Sequence, residues 1–309
     1  MLVTREFITA KLETTYNVDS VPTPAADAIQ VSNLAWAPEG LRMVERPVIK
    51  PTFGKLKSVF AGELRTITFD TELRGSGTID SPPETGVLWR AAGLAQTINA
   101  STSVIYDVAS SAIGSITMYF YMDGTYFKLT GGRVKSVSAS LETGSIGKLS
   151  WTVTGHVGNH IDITPAAPAY DTTVPAPLIG IPFTIGGYSP SISKMEFTVE
   201  NSLSLQEDIS APDGYGELII TDRNVSGSFD PMMHVIAVKD FYSEFKAGTE
   251  FALTTGVIGG TAGNRVRIDM PKIYYNSAAP ADREGVRTYE LGFVAIESAS
   301  DDELTITHT

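Results

Sequence analysis

One layout of strands and turns runs through this chain twice. It extends from Ile29 to Gly155, and an echo, weak in identity but preserved in order, extends from Met195 to Ser298. A chain that repeats itself is constrained to fold as like units that bury the same apolar face. Fused copies of one β unit suit an assembly with quasi-equivalent positions better than a single active site.

Period-two alternation carries the strand assignment. Ile67, Phe69 and Leu73 face one way, with Thr68, Asp70, Glu72 and Arg74 on the other side. Ile116, Met118, Phe120 and Met122 alternate with Thr117, Tyr119 and Tyr121, and Leu149, Trp151 and Val153 with Lys148, Ser150, Thr152 and Thr154. The second half repeats the theme in Met195, Phe197 and Val199, in Val266, Ile268 and Met270, and in Tyr289, Leu291 and Phe293. Asp123-Gly124 between apolar runs predicts a type I′ hairpin turn.

Each half offers one helix start. Ser81-Pro82-Pro83-Glu84 reads as a capping box, with Val87, Leu88 and Ala91 on one face and Gly93 as the stop. Asp230-Pro231 reads as a second cap, followed by an apolar stripe of Val235, Val238, Phe241, Tyr242 and Phe245 and a stop at Gly248. The halves align by their punctuation. Val31-Ser32-Asn33-Leu34 matches Val199 to Leu203, and Gly62-Glu63-Leu64 matches Gly216-Glu217-Leu218. Gly75-Ser76-Gly77 matches Ser226-Gly227-Ser228, Tyr126 to Val134 matches Arg265 to Ile273, and Lys148 to Thr154 matches Arg287 to Phe293.

Between the halves, residues 164–177 are rich in Pro and Ala and read as a semi-rigid linker. The expected units are therefore 1–163 and 178–309. A long loop, residues 38–58, mixes prolines with apolar and charged residues, as interaction arms do; an ordinary hairpin folded on its own domain is the plain alternative. Its candidate contact residues are Arg42, Met43, Glu45, Arg46, Val48, Ile49, Phe53 and Lys55.

Composition narrows the function classes. The 309 residues contain no cysteine, which excludes a disulfide scaffold, a Cys-based metal site and a thiol nucleophile. No run approaches the roughly 18 apolar residues of a membrane helix, and the first eleven residues lack a signal-peptide core, so a soluble protein folded in a reducing cytoplasm is expected. The net charge of −12 with no basic cluster argues against gripping nucleic acid. Such acidity ordinarily serves solubility, and it is compatible with a wall along which DNA slides without sticking.

No catalytic constellation is legible. His156 and His160 have H-x-x-x-H spacing, but Gly155, Gly158 and Asn159 deny a helix, so they read as solvated loop histidines. His234 falls on the polar side of its expected helix and His308 in the tail. Gly131-Gly132 and Gly259-Gly260 precede no helix and read as turns or bulges. Asp301-Asp302-Glu303 reads as a solvated acidic run. No cofactor, metal site or enzymatic activity is expected. Trp36 is the one tryptophan placed to expose its ring.

Several segments resemble tail tube proteins of long-tailed bacteriophages. They are Lys11 to Asp19 with Pro22 to Ile29, Arg46-Pro47 to Phe53-Gly54, Thr66 to Leu73 with Gly75-Ser76-Gly77, and the helix ending Leu88-Trp89-Arg90-Ala91-Ala92-Gly93. Met122 to Gly131, Gly147 to Gly155 and, more faintly, Ile220 to Asp230 complete the likeness. The resemblance implies an all-β protein of two tandem β-sandwich tube domains, each with one short flanking helix. It implies inner-barrel strands that join across subunits, and a long loop and terminal arms that reach the next ring. The usual family subunit has one such domain in a hexameric ring. Two domains per chain lead to the expectation of three-chain rings with pseudo-sixfold symmetry, stacked into a tube for DNA ejection with an acidic lumen. Implied partners are the chain itself, terminator, tape-measure and distal tail proteins, and DNA passing without specific binding; no membrane is involved. The setting would be the virion tail, assembled in the host cytoplasm. Another virion module (distal tail or decoration protein) and a carbohydrate-binding β-sandwich are the alternatives.

Overall fold

In the computed structural model, which describes residue 2 and residues 5–164 and 167–309, the alternating runs become an antiparallel all-β fold. Pro165 and Ala166 of the expected linker lie outside the described residues, as do Met1, Val3 and Thr4. The first half contains β1 (Glu6–Leu12), β2 (Ala28–Ile29), β3 (Ser32–Glu39), β4 (Met43–Val44), β5 (Val59–Phe60) and β6 (Leu64–Glu72). Helix α1 (Gly86–Ala91) follows, then β7 (Leu94–Asn99), β8 (Ser103–Val108), β9 (Ile116–Met122), β10 (Thr125–Glu142), β11 (Lys148–Val157) and β12 (Ile161–Asp162). The second half contains β13 (Thr184–Ile185), β14 (Lys194–Glu207), β15 (Tyr215–Phe229), α2 (Phe241–Ala247), β16 (Phe251–Thr254), β17 (Val266–Arg283), β18 (Val286–Ala295) and β19 (Thr305–His308).

Pairing organises these strands into layers. A central sheet runs β3-β6-β11-β10-β14-β15-β18-β17, every neighbour antiparallel. It consists of two four-strand blocks of the same order, β3-β6-β11-β10 and β14-β15-β18-β17, joined edge to edge through β10 and β14. A second layer contains β2-β1-β9-β10 with β12 in the first half. It contains β13-β16-β17-β19 in the second, extended by β8 and β7. Thus β1, β3, β6, α1, β9, β10, β11 and β12 recur in order as β13, β14, β15, α2, β16, β17, β18 and β19. The β7–β8 hairpin has no counterpart among the described residues, and it pairs across the halves onto β19. β10 and β17 each serve both layers. β10 changes layer at a bulge, where the register shifts between Thr130 and Arg133 around Gly131-Gly132.

The apolar positions of the alternation meet between the layers, and this buried cluster runs without a break through both halves. In the first half Trp89 from α1 packs edge-on against Trp151, centroids 4.7 Å apart, and Trp151 Nε1 donates to Thr71 Oγ1 at 2.8 Å. In the second, Phe229 packs among Phe183, Tyr275 and Phe293. Buried Asn201 ties the two together: its amide donates to Ala92 O at 2.9 Å and to Val134 O at 3.0 Å. Asn201→Leu leaves both carbonyls buried without that donor. It is expected to destabilise the fold by about 2 kcal/mol or more. Urea unfolding checks this as a lower midpoint at unchanged slope; a change under about 0.5 kcal/mol, the scatter of surface substitutions, would contradict it.

Several local expectations need correction. α1 starts at Gly86 with Thr85 as N-cap and no side-chain cap bond, so Ser81 caps nothing. Consecutive prolines restrict Pro82 away from helical geometry, and Glu84 is drawn to Arg74 at 2.7 Å. α2 starts ten residues later than Asp230-Pro231 suggests, because Asp240 is the true cap and accepts from Ser243 N at 3.0 Å. The Asp230 carboxylate instead accepts from the backbone N–H groups of Ser193 and Lys194. Val235 and Val238 are consequently exposed rather than part of a helical stripe. Gly248 does stop α2, in the left-handed conformation glycine favours. The β9–β10 turn is not type I′: Gly124 has φ +100°, but Asp123 does not take a positive φ.

Candidate functional site

The feature a lone chain leaves unfinished is the central sheet. Among the described residues β3 pairs only with β6, and β17 beyond Asn276 pairs only with β18. Both strands are largely exposed, whereas the matching stretches at the β10–β14 junction, residues 136–142 and 194–200, alternate with buried residues. Unpaired edges of this length are hazards that proteins blunt or cover.

Bulges fix how the repeats correspond. The β10–β11 register shifts between Val134 and Ser136, and the β17–β18 register shifts between Tyr275 and Ser277. Val134 is therefore the counterpart of Tyr275, Ser136 of Ser277, Trp151 of Leu291 and, through the paired strands, Phe69 of Phe229 and Trp36 of Phe197. The alignment read from Gly62-Glu63-Leu64 and its neighbours is displaced from this one. The first hairpin spends its extra residues on the long loop, while the second continues as paired strand to residue 207. Ser226-Gly227-Ser228 accordingly lies inside β15 and corresponds to Thr66-Ile67-Thr68, not to Gly75-Ser76-Gly77. Following the registers straight across the sheet, Phe69 is level with Val225, four residues from its counterpart Phe229. The repeat is thus staggered by one residue per strand.

The face of the central sheet opposite the core is polar and hydroxyl-rich. Thr66 and Thr154 hydrogen-bond at 2.9 Å, and Ser138 and Thr198 at 2.8 Å across the β10–β14 junction. On the six inner strands its charges include Asp70, Glu72, Glu142, Glu196, Glu200 and Glu290 against Lys135, Lys148 and Lys194. Burial pushes the Asp70 carboxyl up, but bonds from Lys148, Ser150 and Asn33 outweigh it and hold it below the usual carboxylate range.

The long loop leaves the body at one end of this sheet. Met43 and Val44 pair with Phe60 and Val59 as a separate two-stranded ribbon. Beyond it Glu45, Arg46, Val48 and Lys55 are exposed, and Ile49 and Phe53 are fully so. Arg42 sits instead at the base of the loop, 4.0 Å over the Tyr215 ring and 2.8 Å from Glu207. Gly62, where the loop returns, has φ +119°, and a Cβ there would meet Asp213 O at 1.9 Å. The turn of the second half therefore seats the base of the arm.

That seat includes Tyr16 and Asp213, which the sequence did not flag. His156 is buried, with Nδ1 2.6 Å from Asp213 and Nε2 3.0 Å from the Tyr16 hydroxyl, which accepts from Leu218 N at 2.8 Å. His160 lies 3.2 Å from Arg65. His156 is therefore no solvated loop histidine, because the second-half hairpin folds over it, whereas His160 is exposed in the loop after β11, as expected. His234 precedes α2 and packs edge-on near Tyr188, and His308 is buried in β19 rather than lying in a tail. The acidic run is also tied down: Arg223 contacts Glu303 at 2.6 Å and Asp301 at 3.4 Å. Trp36 is 40% exposed because it stands on the open edge, with Arg65 4.3 Å over its ring. Among the described residues no group of three or more His, Asp or Glu is placed to hold a metal ion.

No curated protein matches this chain. Residues 4–295 match the family model described as phage tail tube protein. A match of that extent, on an all-β fold with two unfinished sheet edges, makes the chain a member of the phage tail tube protein family and a structural component of a virion tail.

Proposed function

We propose that three copies close into a ring with pseudo-sixfold symmetry, and that rings stack into the conduit through which DNA is ejected. Each chain contributes two tube units, 1–163 and 178–309, bridged by 164–177. The observation that carries this reading is the stagger of the duplicated sheet. A barrel with as much shear as strands tilts them by about 36°, inside the usual range. Repeating the β10–β14 junction between chains therefore curls the sheet toward closure. A junction between unlike edges closes into a ring when its rotation allows.

The polar face then lines the bore. Its excess of carboxylates over lysines repels phosphate and gives DNA few ion pairs to break. The arm, with Arg42 at its base and Met43, Glu45, Arg46, Val48, Ile49, Phe53 and Lys55 exposed along it, makes contacts between subunits and rings. Terminator, tape-measure and distal tail proteins contact the same object in the virion, after assembly in the host cytoplasm. Electron microscopy of the purified chain is expected to show hollow rings or tubes. Native mass spectrometry of single rings should give three times the 33.1 kDa chain mass. Six chains per ring, or monomers under every assembly condition, would overturn the proposal.

A further inference from the structure

We infer that the junction between chains copies the one inside the chain, with β17 residues 277–283 running antiparallel to β3 of the next copy in a defined register. The inference rests on the ring reading and goes beyond it by naming the surface and its pairing. Inside the chain Ser136 stands opposite Glu200, Ser138 opposite Thr198 and Ser140 opposite Glu196. The bulge-anchored correspondence turns these pairs into Ser277 opposite Glu39, Ala279 opposite Ala37, and Ala281 opposite Ala35. The hydroxyl pair of the internal junction thus becomes a pair of alanines, small enough for close approach.

The backbone directions agree with this register. Leu73 N donates to Gly147 O, so odd-numbered residues of β6 turn toward β11 and even-numbered ones toward β3. Ala35 and Ala37, opposite Thr68 and Thr66, therefore turn toward β6, while Trp36 and Pro38 turn to the open edge. On the other edge Tyr289 N donates to Pro231 O, away from β17, so its partner Pro280 also turns outward. The inferred register sets Pro280 against Trp36 and Ala278 against Pro38, so outward-turning residues meet outward-turning residues.

Pro38 and Pro280 present no N–H, whereas residues 136–142 and 194–200 contain no proline. Each open edge is thereby guarded, as edge strands commonly are, and the junction between chains lacks two hydrogen bonds that the internal one can make. Side chains must then select the partner. Trp36, 40% exposed on the edge, is the counterpart of Phe197, 1% exposed inside the chain. Pro280 of the next copy is placed to cover it.

The cysteine-free chain allows a direct test. Ala37 and Ala279 would form a non-hydrogen-bonded pair with Cα atoms about 4.5 Å apart, within disulfide range. The double variant A37C/A279C, assembled and then oxidised by oxygen with a copper catalyst, is expected to run as covalent trimers that revert to monomers on reduction. The second on-register pair, A35C/A281C, should do the same, which protects the test if one variant folds poorly. The slipped pair A35C/A279C should stay monomeric. Rings in which both on-register pairs fail to cross-link, or the slipped pair cross-links instead, would overturn the register while leaving the ring intact. Absence of rings from the unmodified chain would overturn the ring reading itself.

Discussion

Replacing Ile49 and Phe53 together by Asp is expected to abolish stacking while leaving the folded chain and its single rings intact. Both side chains are fully exposed on the arm, so their loss removes little from the isolated fold, within about 0.5 kcal/mol. Apolar groups this exposed contribute only when a partner covers them, at about 1.5–3 kcal/mol for each side chain buried. Three arms act in parallel between adjacent rings of the proposed tube. The double substitution therefore removes on the order of 10 kcal/mol from every ring-to-ring junction, and adds carboxylates that resist burial. Sedimentation and electron microscopy should show rings without tubes, at an unchanged melting temperature. Tubes of normal length from the variant would remove the arm from the stacking contact. A collapse in thermal stability would show instead that the arm belongs to the fold of its own chain.

Acidification is expected to weaken the fold through His308 by about 3 kcal/mol between pH 7 and pH 4. The ring is 4% exposed, and neither nitrogen has a hydrogen-bond partner among the described residues. Its neighbour is the edge of Tyr106, 5.8 Å away, whose own burial pushes the hydroxyl up and keeps it neutral. Burial lowers the His308 pKa from 6.5 to about 4. Above pH 6.5 the ring is neutral in both folded and unfolded chains and has no effect on the balance. Below it the unfolded chain takes up a proton that the folded chain refuses, so stability falls steadily until about pH 4 and then levels. His308 pairs opposite Val104 and Val266, at the strand that joins the halves through β8, so the loss falls on that connection. Urea unfolding at pH 7 and pH 4 should show the deficit in the unmodified chain and its removal in His308→Leu. Equal acid losses in the two proteins would refute the assignment.

Much of the fold was legible in residue order. The alternations at Leu149, Trp151 and Val153 and at Met195, Phe197 and Val199 gave strands with the right faces, because a strand needs only its own period and one buried side. The duplication was legible for the same reason. Its register was not: glycine punctuation marks turns, and the two halves place their turns at different distances from matching core residues. Helix starts failed where a competing partner took the expected cap, as Arg74 took Glu84 and the Ser193 backbone took Asp230. The arm stood out from its prolines and mixed side chains. Its seat did not, since Asp213, Tyr215 and Glu207 meet Gly62, Arg42 and His156 only after the second half folds over the first.

The sequence by itself determined an all-β chain, built twice from one layout, with a long loop of mixed apolar and charged residues in an acidic whole. Those properties are local or compositional, and every residue that sets them is near the residues it constrains. Only the tertiary structure decided that the two layouts share one sheet, that the sheet is staggered by a residue per strand, and that it ends in two edges of opposite kind. Strand pairing between distant segments is a choice among near-equivalent registers. It is settled by which side chains fill the common core and where each bulge falls, and neither is visible in the order of residues alone.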